Sequence, residues 1–187
     1  MPPATLTTRE RHRGPANRRL RRSLHLWRKN NSGATAVEFG LLALPFFLIV
    51  LAILETSLVF LGEVTLQRGV ESVSRDLRLG TVRTGQQAVF QKHLCEHVGF
   101  LLTCDKLRYD VRSYATFAAI PPATAGDNGV FDASGFQFAP GGSGSINIVR
   151  VYYEWPLVTD LFRRSLAGLD NGHYLLSSTT AFRGERF

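Results

Sequence analysis

The stretch 30-NNSGATAVEFGLLALPFFLIVLAILETSLVFL-61 decides the fold, because it is almost wholly apolar. Its central part, 39–54, holds sixteen residues without a charge. A helix that crosses a membrane needs about 20 apolar residues at 1.5 Å of rise each. We therefore predict a transmembrane helix over 34–61. The carboxylates Glu38 and Glu55 lie towards its two ends, where a charge costs less than at the centre of the bilayer.

The basic residues of the chain are concentrated ahead of this stretch. Residues 1–33 hold nine Lys or Arg and one Glu, a net charge of +8, against +7 for the whole chain. The remaining residues hold 13 basic and 14 acidic groups, a net charge of −1. This distribution argues against a basic DNA-binding domain. Pro2, Pro3 and Pro15, with few apolar residues around them, predict a disordered leader over 1–33.

The charge flanking the apolar stretch predicts its orientation. The strongly basic side of a membrane helix stays in the cytoplasm, so the leader is expected inside and the residues after 61 outside. Glu55 is then expected at the outer interface of the membrane, with a contact to a partner subunit as the alternative. A secretory signal peptide is a competing interpretation, but this apolar run is long and no small-residue cleavage site follows it.

The helix is predicted to continue past the membrane as an amphipathic extension over 62–83. Apolar residues recur there at intervals of four, three and four positions: Leu66, Val70, Val73 and Leu77. This spacing places them on one face of a helix. Gly80 and Gly85 are expected to bracket its end.

Residues 84–187 predict a small α+β domain, with an antiparallel sheet packed on helix. A short helix is expected over 86–98, and a long loop rich in Gly, Pro, Ala and Ser over 119–145. The strand candidates are 107–118, 146–158 and 173–186, from alternation and composition. On the second of these strands Tyr152, Tyr153 and Trp155 occupy alternate faces, so they are expected to be half core and half surface.

Cys95 and Cys104 are the two cysteines of the chain. Outside the cytoplasm we expect a disulfide between them, with two buried thiols as the alternative. Together with His93 and His97 they could suggest zinc. On one helix, however, His93 and His97 share a face and Cys95 points about 200° away from His93. We predict no metal site and no cofactor.

Catalytic residues are not predicted either. No nucleophile, base and orienting group occur at a recognisable spacing, and GGSGS at 141–145 lacks the lysine of a phosphate-binding loop. We therefore expect a structural and interaction protein and not an enzyme. The rival interpretation is an enzyme in the outer domain, which predicts that single polar substitutions within 107–187 abolish an activity.

The junction SG-ATAVEF resembles the processing site of type IV prepilins and their relatives. The longer segment GATAVEFGLLALPFFLIVLAILE (33–55) resembles TadE-like pseudopilins, from tight-adherence or Flp-type pilus systems. Three later segments are similar to the same family: CEHVGFLLTCDKLRYDVRSY (95–114), VYYEWPLV (151–158) and AFRGERF (181–187). In the last of these, Arg186 replaces the proline of the family ending.

The resemblance implies that prepilin peptidase cuts between Gly33 and Ala34. Glu38 would then pair with the new amine of a neighbouring subunit and set the register between packed helices. The implied fold is pilin-like, with one span in the bacterial inner membrane, a cytoplasmic N-terminus and a periplasmic C-terminal domain. The implied partners are the peptidase, sister pseudopilins, the pilus assembly platform and the membrane, without nucleic acid.

The expected function is that of a pseudopilin or minor pilin in the assembly of a Tad (Flp-type) pilus or its secretion machinery. Whether the protein enters the filament or stays at its base is open. The alternative is an uncleaved, single-pass, membrane-anchored periplasmic binding or interaction domain.

Overall fold

The computed structural model describes residues 33–123, 129–159, 163 and 167–185. The chain divides into two compact units, Met1–Ile49 and Val50–Phe187. Apart from Gly33, the predicted leader lies outside the described residues. The boundary predicted at 61 depends on where a membrane lies, and the predicted domain boundaries stay predictions.

Helix α1, Ala34–Leu79, is 46 residues long and includes Pro45. It confirms that the apolar run and the amphipathic extension form one helix. The apolar part is long and hydrophobic enough to cross a membrane, with a mean hydropathy of 2.6 over a window that is wholly unburied. The helix ends before Gly80, whose φ of 73° lies in the left-handed region that glycine adopts without strain.

In the second unit, one face of α1 packs into the core. The predicted apolar positions all lie on this face: Leu66, Val70, Val73 and Leu77. Two glycines on it permit close approach of the neighbouring elements. A Cβ at Gly69 would lie 2.5 Å from Val98 Cγ1, and one at Gly62 would lie 3.0 Å from Leu176 Cδ1. Because interiors are close-packed, these glycines set the distance between α1 and its neighbours.

Helix α2, Gln87–Val98, matches the short helix predicted over 86–98. It buries Phe90, Leu94 and Val98, which recur at intervals of four and therefore lie on one face. These side chains join the core cluster that also holds the buried face of α1.

Four strands form one sheet: β1 Arg108–Tyr114, β2 Phe138–Ala139, β3 Ile146–Pro156 and β4 His173–Arg183. Their order is β2-β1-β3-β4. The β1–β3 and β3–β4 pairs are antiparallel, with Val111 opposite Val149 and Val151 opposite Ser178. The three predicted strands and the α+β class are confirmed.

The sequence predicted an antiparallel sheet. The observed sheet differs from this prediction at one strand pair. Strand β2 lies within the predicted loop 119–145 and runs parallel to β1, with Val111 opposite Phe138. Polar contacts hold it there. Asp110, which is buried, accepts a hydrogen bond of 2.9 Å from the Gln137 backbone N–H. Arg112 donates to the Gly135 carbonyl.

The predicted loop also changes the environment of the aromatic residues on β3. Phe131 and Phe136 lie against Tyr152, with ring centroids 5.6 and 5.3 Å apart. Tyr152 and Tyr153 are both buried, although they occupy opposite faces of the strand. Trp155 is partly buried. The expectation that these three residues would be half core and half surface is therefore wrong, because the loop covers the sheet face that the helices leave open.

Candidate functional site

The candidate processing site lies at the start of α1. Gly33 directly precedes the helix, Ala34 is its first residue and Glu38 follows one turn later. All three are exposed, and a Cβ at Gly33 would meet no atom within 4 Å. In the described part of the chain, nothing screens the peptide bond between Gly33 and Ala34.

Glu38 has no hydrogen bond or ion pair to any described residue. It shares a helix face with Ala34, four positions earlier. An isolated carboxylate inside a membrane is costly, and pairing with a cation or hydrogen-bond donor offsets that cost. The residues that the structure describes offer the Glu38 side chain no such group.

Helix α1 presents an exposed apolar belt from Val37 to Leu61. The large side chains that are exposed on it show between 46% and 71% of their surface, and they include eight leucines and four phenylalanines. An exposed apolar surface of this extent marks an interface with lipid or with other protein. Single-pass membrane anchoring follows from this belt and its length.

The Glu55 carboxylate accepts hydrogen bonds from residues of its own chain. Its side chain belongs to the buried face of α1, with 8% of the residue exposed. It accepts hydrogen bonds from the Val158 backbone N–H at 2.5 Å, from the Thr159 backbone N–H at 3.3 Å and from the Thr159 hydroxyl. The Glu55 carboxylate therefore makes its hydrogen bonds inside the second unit. The alternative prediction, a contact to a partner subunit, is wrong.

The reason for this contact lies at the end of β3. Pro156 closes the strand, because proline cannot continue the ladder of hydrogen bonds. The chain then turns towards α1, and the Val158 and Thr159 N–H groups need new acceptors. Sequence reasoning missed this pairing because 103 and 104 positions separate the partners. The available signal was an acid inside an apolar run.

A second acid of α1 holds the start of β4. The Tyr174 hydroxyl donates a hydrogen bond of 3.1 Å to Glu63 Oε1. Burial raises the pKa of the Tyr174 phenol, and the nearby Glu63 carboxylate raises it further. Both effects favour the neutral phenol, which can donate the bond.

Cys95 and Cys104 form a disulfide, with their Cα atoms 5.6 Å apart. It joins the last turn of α2 to the segment that leads into β1. Gly99 lies inside the closed loop, where a Cβ would come within 2.6 Å of the Cys95 carbonyl oxygen. The glycine therefore permits the tight return of the chain.

The two histidines contact polar side chains of α1 and not the cysteines. His93 Nδ1 lies 3.1 Å from Asp76 Oδ2, and His97 Nε2 lies 2.8 Å from Ser72 Oγ. Both therefore fix α2 to α1, as their shared helix face allows. Among the described residues, no three His, Cys, Asp or Glu side chains converge on a point that could hold a metal ion.

The C-terminal segment returns to the end of α1. The Glu185 backbone N–H donates to the Arg78 carbonyl at 2.9 Å, and the two side chains are 3.6 Å apart. Arg183 Nε donates to the Gly144 carbonyl at 3.0 Å. Arg186 and Phe187, the last positions of the family-like ending, lie outside the described residues.

A protein family described as TadE-like protein matches residues 33–75. Over these residues the chain is similar to that family. The match begins at the candidate cut-site glycine and covers all of α1 except its last turn. No curated protein and no solved structure matches the chain. The TadE-like match supports a part in Tad pilus systems, where proteins of this family are structural or assembly components.

Proposed function

We propose that this TadE-like chain is a pseudopilin or minor pilin that prepilin peptidase cuts between Gly33 and Ala34. It would serve the assembly of a Tad (Flp-type) pilus or its secretion machinery. One observation carries the proposal: the family match starts at residue 33, directly before the helix that begins at Ala34 and carries the exposed apolar belt. Cleavage there would place a free amine at the first residue of the helix.

The proposed location is the bacterial inner membrane, with a single span. The +8 leader would stay in the cytoplasm, because basic flanks are retained on that side. The second unit beyond the span would then be periplasmic. The Cys95–Cys104 disulfide is compatible with that location, since the periplasm is oxidising.

Glu38 is proposed to pair with the Ala34 amine of a neighbouring copy or sister pseudopilin. An ammonium and a carboxylate attract strongly where the dielectric constant is low, although desolvation offsets part of the gain. The apolar belt would supply the remaining contact between helices. Because the pair forms at one height only, it would fix the register of adjacent subunits. The assembly platform would act on chains matured in this way.

Substitution of Glu38 tests the register role. Glu38→Ala should leave removal of the leader intact and lower the amount of assembled pilus or pilus machinery. Glu71→Ala is the matched control, because Glu71 is an exposed acid on the same helix that accepts a hydrogen bond from Gln67. Quantitative blotting of surface pili and of the processed chain measures both effects. Normal assembly with Glu38→Ala would refute the role.

Substitution of Gly33 tests the processing step. Gly33→Leu should block the mass loss that accompanies removal of the leader. Gly40→Leu should be processed normally, since a Cβ at Gly40 also meets no atom within 4 Å but the position lies past the cut. A chain that keeps its leader and still functions would favour the alternative of an uncleaved membrane-anchored interaction domain.

A further inference from the structure

A groove of about 400 Å³ lies beside Glu55, within the second unit. Helix α1 forms one wall of the groove, and the sheet with its connections forms the other. Seven apolar residues line it: Leu51, Leu54, Leu58, Leu101, Trp155, Pro156 and Val158. The three leucines of α1 belong to the predicted span 34–61. The groove therefore opens at the level of the apolar belt.

The groove offers little to a polar ligand. Glu55 and Thr159 are among its polar lining residues, and they are already hydrogen-bonded to each other. Glu55 also accepts the Val158 N–H at 2.5 Å. Tyr153 accepts a hydrogen bond from the Thr103 N–H. An occupant would meet mainly hydrocarbon, so it should itself be apolar.

The rim of the groove is also apolar and open. Val158, which lines the groove, exposes 83% of its surface. Leu54 and Leu58 on the opposite wall are about half exposed. Side chains of this kind, continuous with the belt of a membrane helix, are expected to contact the same medium as that belt.

The Glu55 contact fits a lipid environment at this level. Backbone N–H groups outside a helix are tolerated at membrane depth where protein groups satisfy them. Glu55 does so for Val158 and Thr159. Trp155, partly buried on the same groove wall, is of the residue type enriched where membrane meets water.

We propose that the groove holds an acyl chain of a lipid from the outer leaflet of the membrane. The base of the outer unit would then rest on the bilayer through Val158 and the neighbouring rim. The inference rests on the membrane span of the proposed function. The experiment below distinguishes failure of the groove proposal from failure of the span.

Fluorescence quenching by brominated lipid tests the proposal on the full chain. The chain has two tryptophans, Trp27 and Trp155, so Trp27→Phe leaves Trp155 as the one reporter. The protein is reconstituted in phosphatidylcholine vesicles with or without bromine near the carbonyl end of the acyl chain. We expect Trp155 emission to be lower in the brominated vesicles. The fraction of emission that is quenched should stay the same when the protein-to-lipid ratio is raised.

A second reporter separates the groove from the span. In a Trp27→Phe, Trp155→Phe background, Phe60→Trp places a reporter at the outer end of the apolar belt, where Phe60 is exposed. Quenching at position 60 without quenching of Trp155 would overturn the groove proposal and leave the span intact. Quenching at neither position would overturn the span as well. Loss of Trp155 quenching at the higher protein-to-lipid ratio would assign the groove to a second copy and also overturn the proposal.

A rim substitution adds an independent readout. Val158→Asp should reduce the quenching of Trp155, because a charge at the rim disfavours lipid there. Val130→Asp is the matched control, since Val130 is also an exposed valine but does not line the groove. Equal quenching in both variants would contradict a lipid-facing rim.

Discussion

Replacement of Glu55 by alanine should release the segment that follows β3 from helix α1. The Glu55 carboxylate accepts two backbone N–H groups and one hydroxyl from Val158 and Thr159. The alanine side chain offers no acceptor to any of these three donors. The contact joins positions more than 100 residues apart and holds only the segment after β3. Its loss should therefore open that segment locally while the core of the sheet stays folded.

The size of the effect follows from the contacts. A hydrogen bond to a charged group contributes about 1.5–3 kcal/mol. We take the 2.5 Å bond from the Val158 N–H in full and assign less to the 3.3 Å bond from Thr159, because half-buried Thr159 can find other acceptors. The sum is about 3 kcal/mol, which corresponds to a change of about 150-fold in an equilibrium constant.

Amide hydrogen exchange of the full chain in lipid nanodiscs measures this change. Glu55→Ala should lower the protection of the Val158 and Thr159 amides about 150-fold, because exchange reports the free energy of local opening. Glu71→Ala, an exposed acid on the same helix, should leave it unaltered. A decrease below about fivefold, which is near 1 kcal/mol, would refute the argument that Glu55 holds this segment.

Three further predictions concern the second unit and its disulfide. Gly69→Leu should lower the free energy of unfolding by about 2 kcal/mol or more through overpacking, whereas Gly40→Leu, with open space around its Cβ, should not; denaturant titration in micelles compares them, and equal stability would contradict the packing. Joint replacement of Cys95 and Cys104 by serine should cost about 2.7 kcal/mol, since the closed loop has ten residues and loop closure is entropic; an unchanged unfolding midpoint would refute this. The raised pKa of Tyr174 predicts a stability contribution that is complete below the unfolded pKa near 10 and lost as pH rises towards the folded pKa; ultraviolet titration should show this late ionisation vanish in Tyr174→Phe, and an unchanged titration curve would contradict it.

The helices and the three long strands follow from the sequence because their signals are local. The apolar run and the spacing from Leu66 to Leu77 specify α1 without reference to other elements. Alternating residues similarly predict β1 and β3. These elements bury their apolar faces in one core, so local preference and packing agree.

The features missed by sequence reasoning depend on distant contacts. Strand β2 has two residues, too few for a period, and its place is fixed by Asp110 through Gln137, 27 positions later. Burial of Tyr152 depends on Phe131 and Phe136, which belong to the loop before β3 and pack against the Tyr152 ring. No spacing rule connects such residues, because the fold brings them together.

The candidate site divides in the same way. Gly33, Ala34 and Glu38 lie within about one and a half helical turns of one another, so their arrangement follows from the sequence and the helix alone. The expected partner of Glu38 lies on another chain and is inferred from charge. Glu55 resembles Glu38 in the sequence, as an acid in an apolar run, but the fold gives it a partner in its own chain. The contacts of Glu55 therefore depend on tertiary structure, which the local sequence pattern does not specify.

The central claim is that processing after Gly33 frees the Ala34 amine at the start of an exposed apolar helix. Mass spectrometry of the intact chain, purified from the membranes of its native bacterium under conditions of pilus assembly, tests it most directly. We predict a mature N-terminus at Ala34 and no leader on the functional molecule. A functional chain that still carries residues 1–33 would contradict the account.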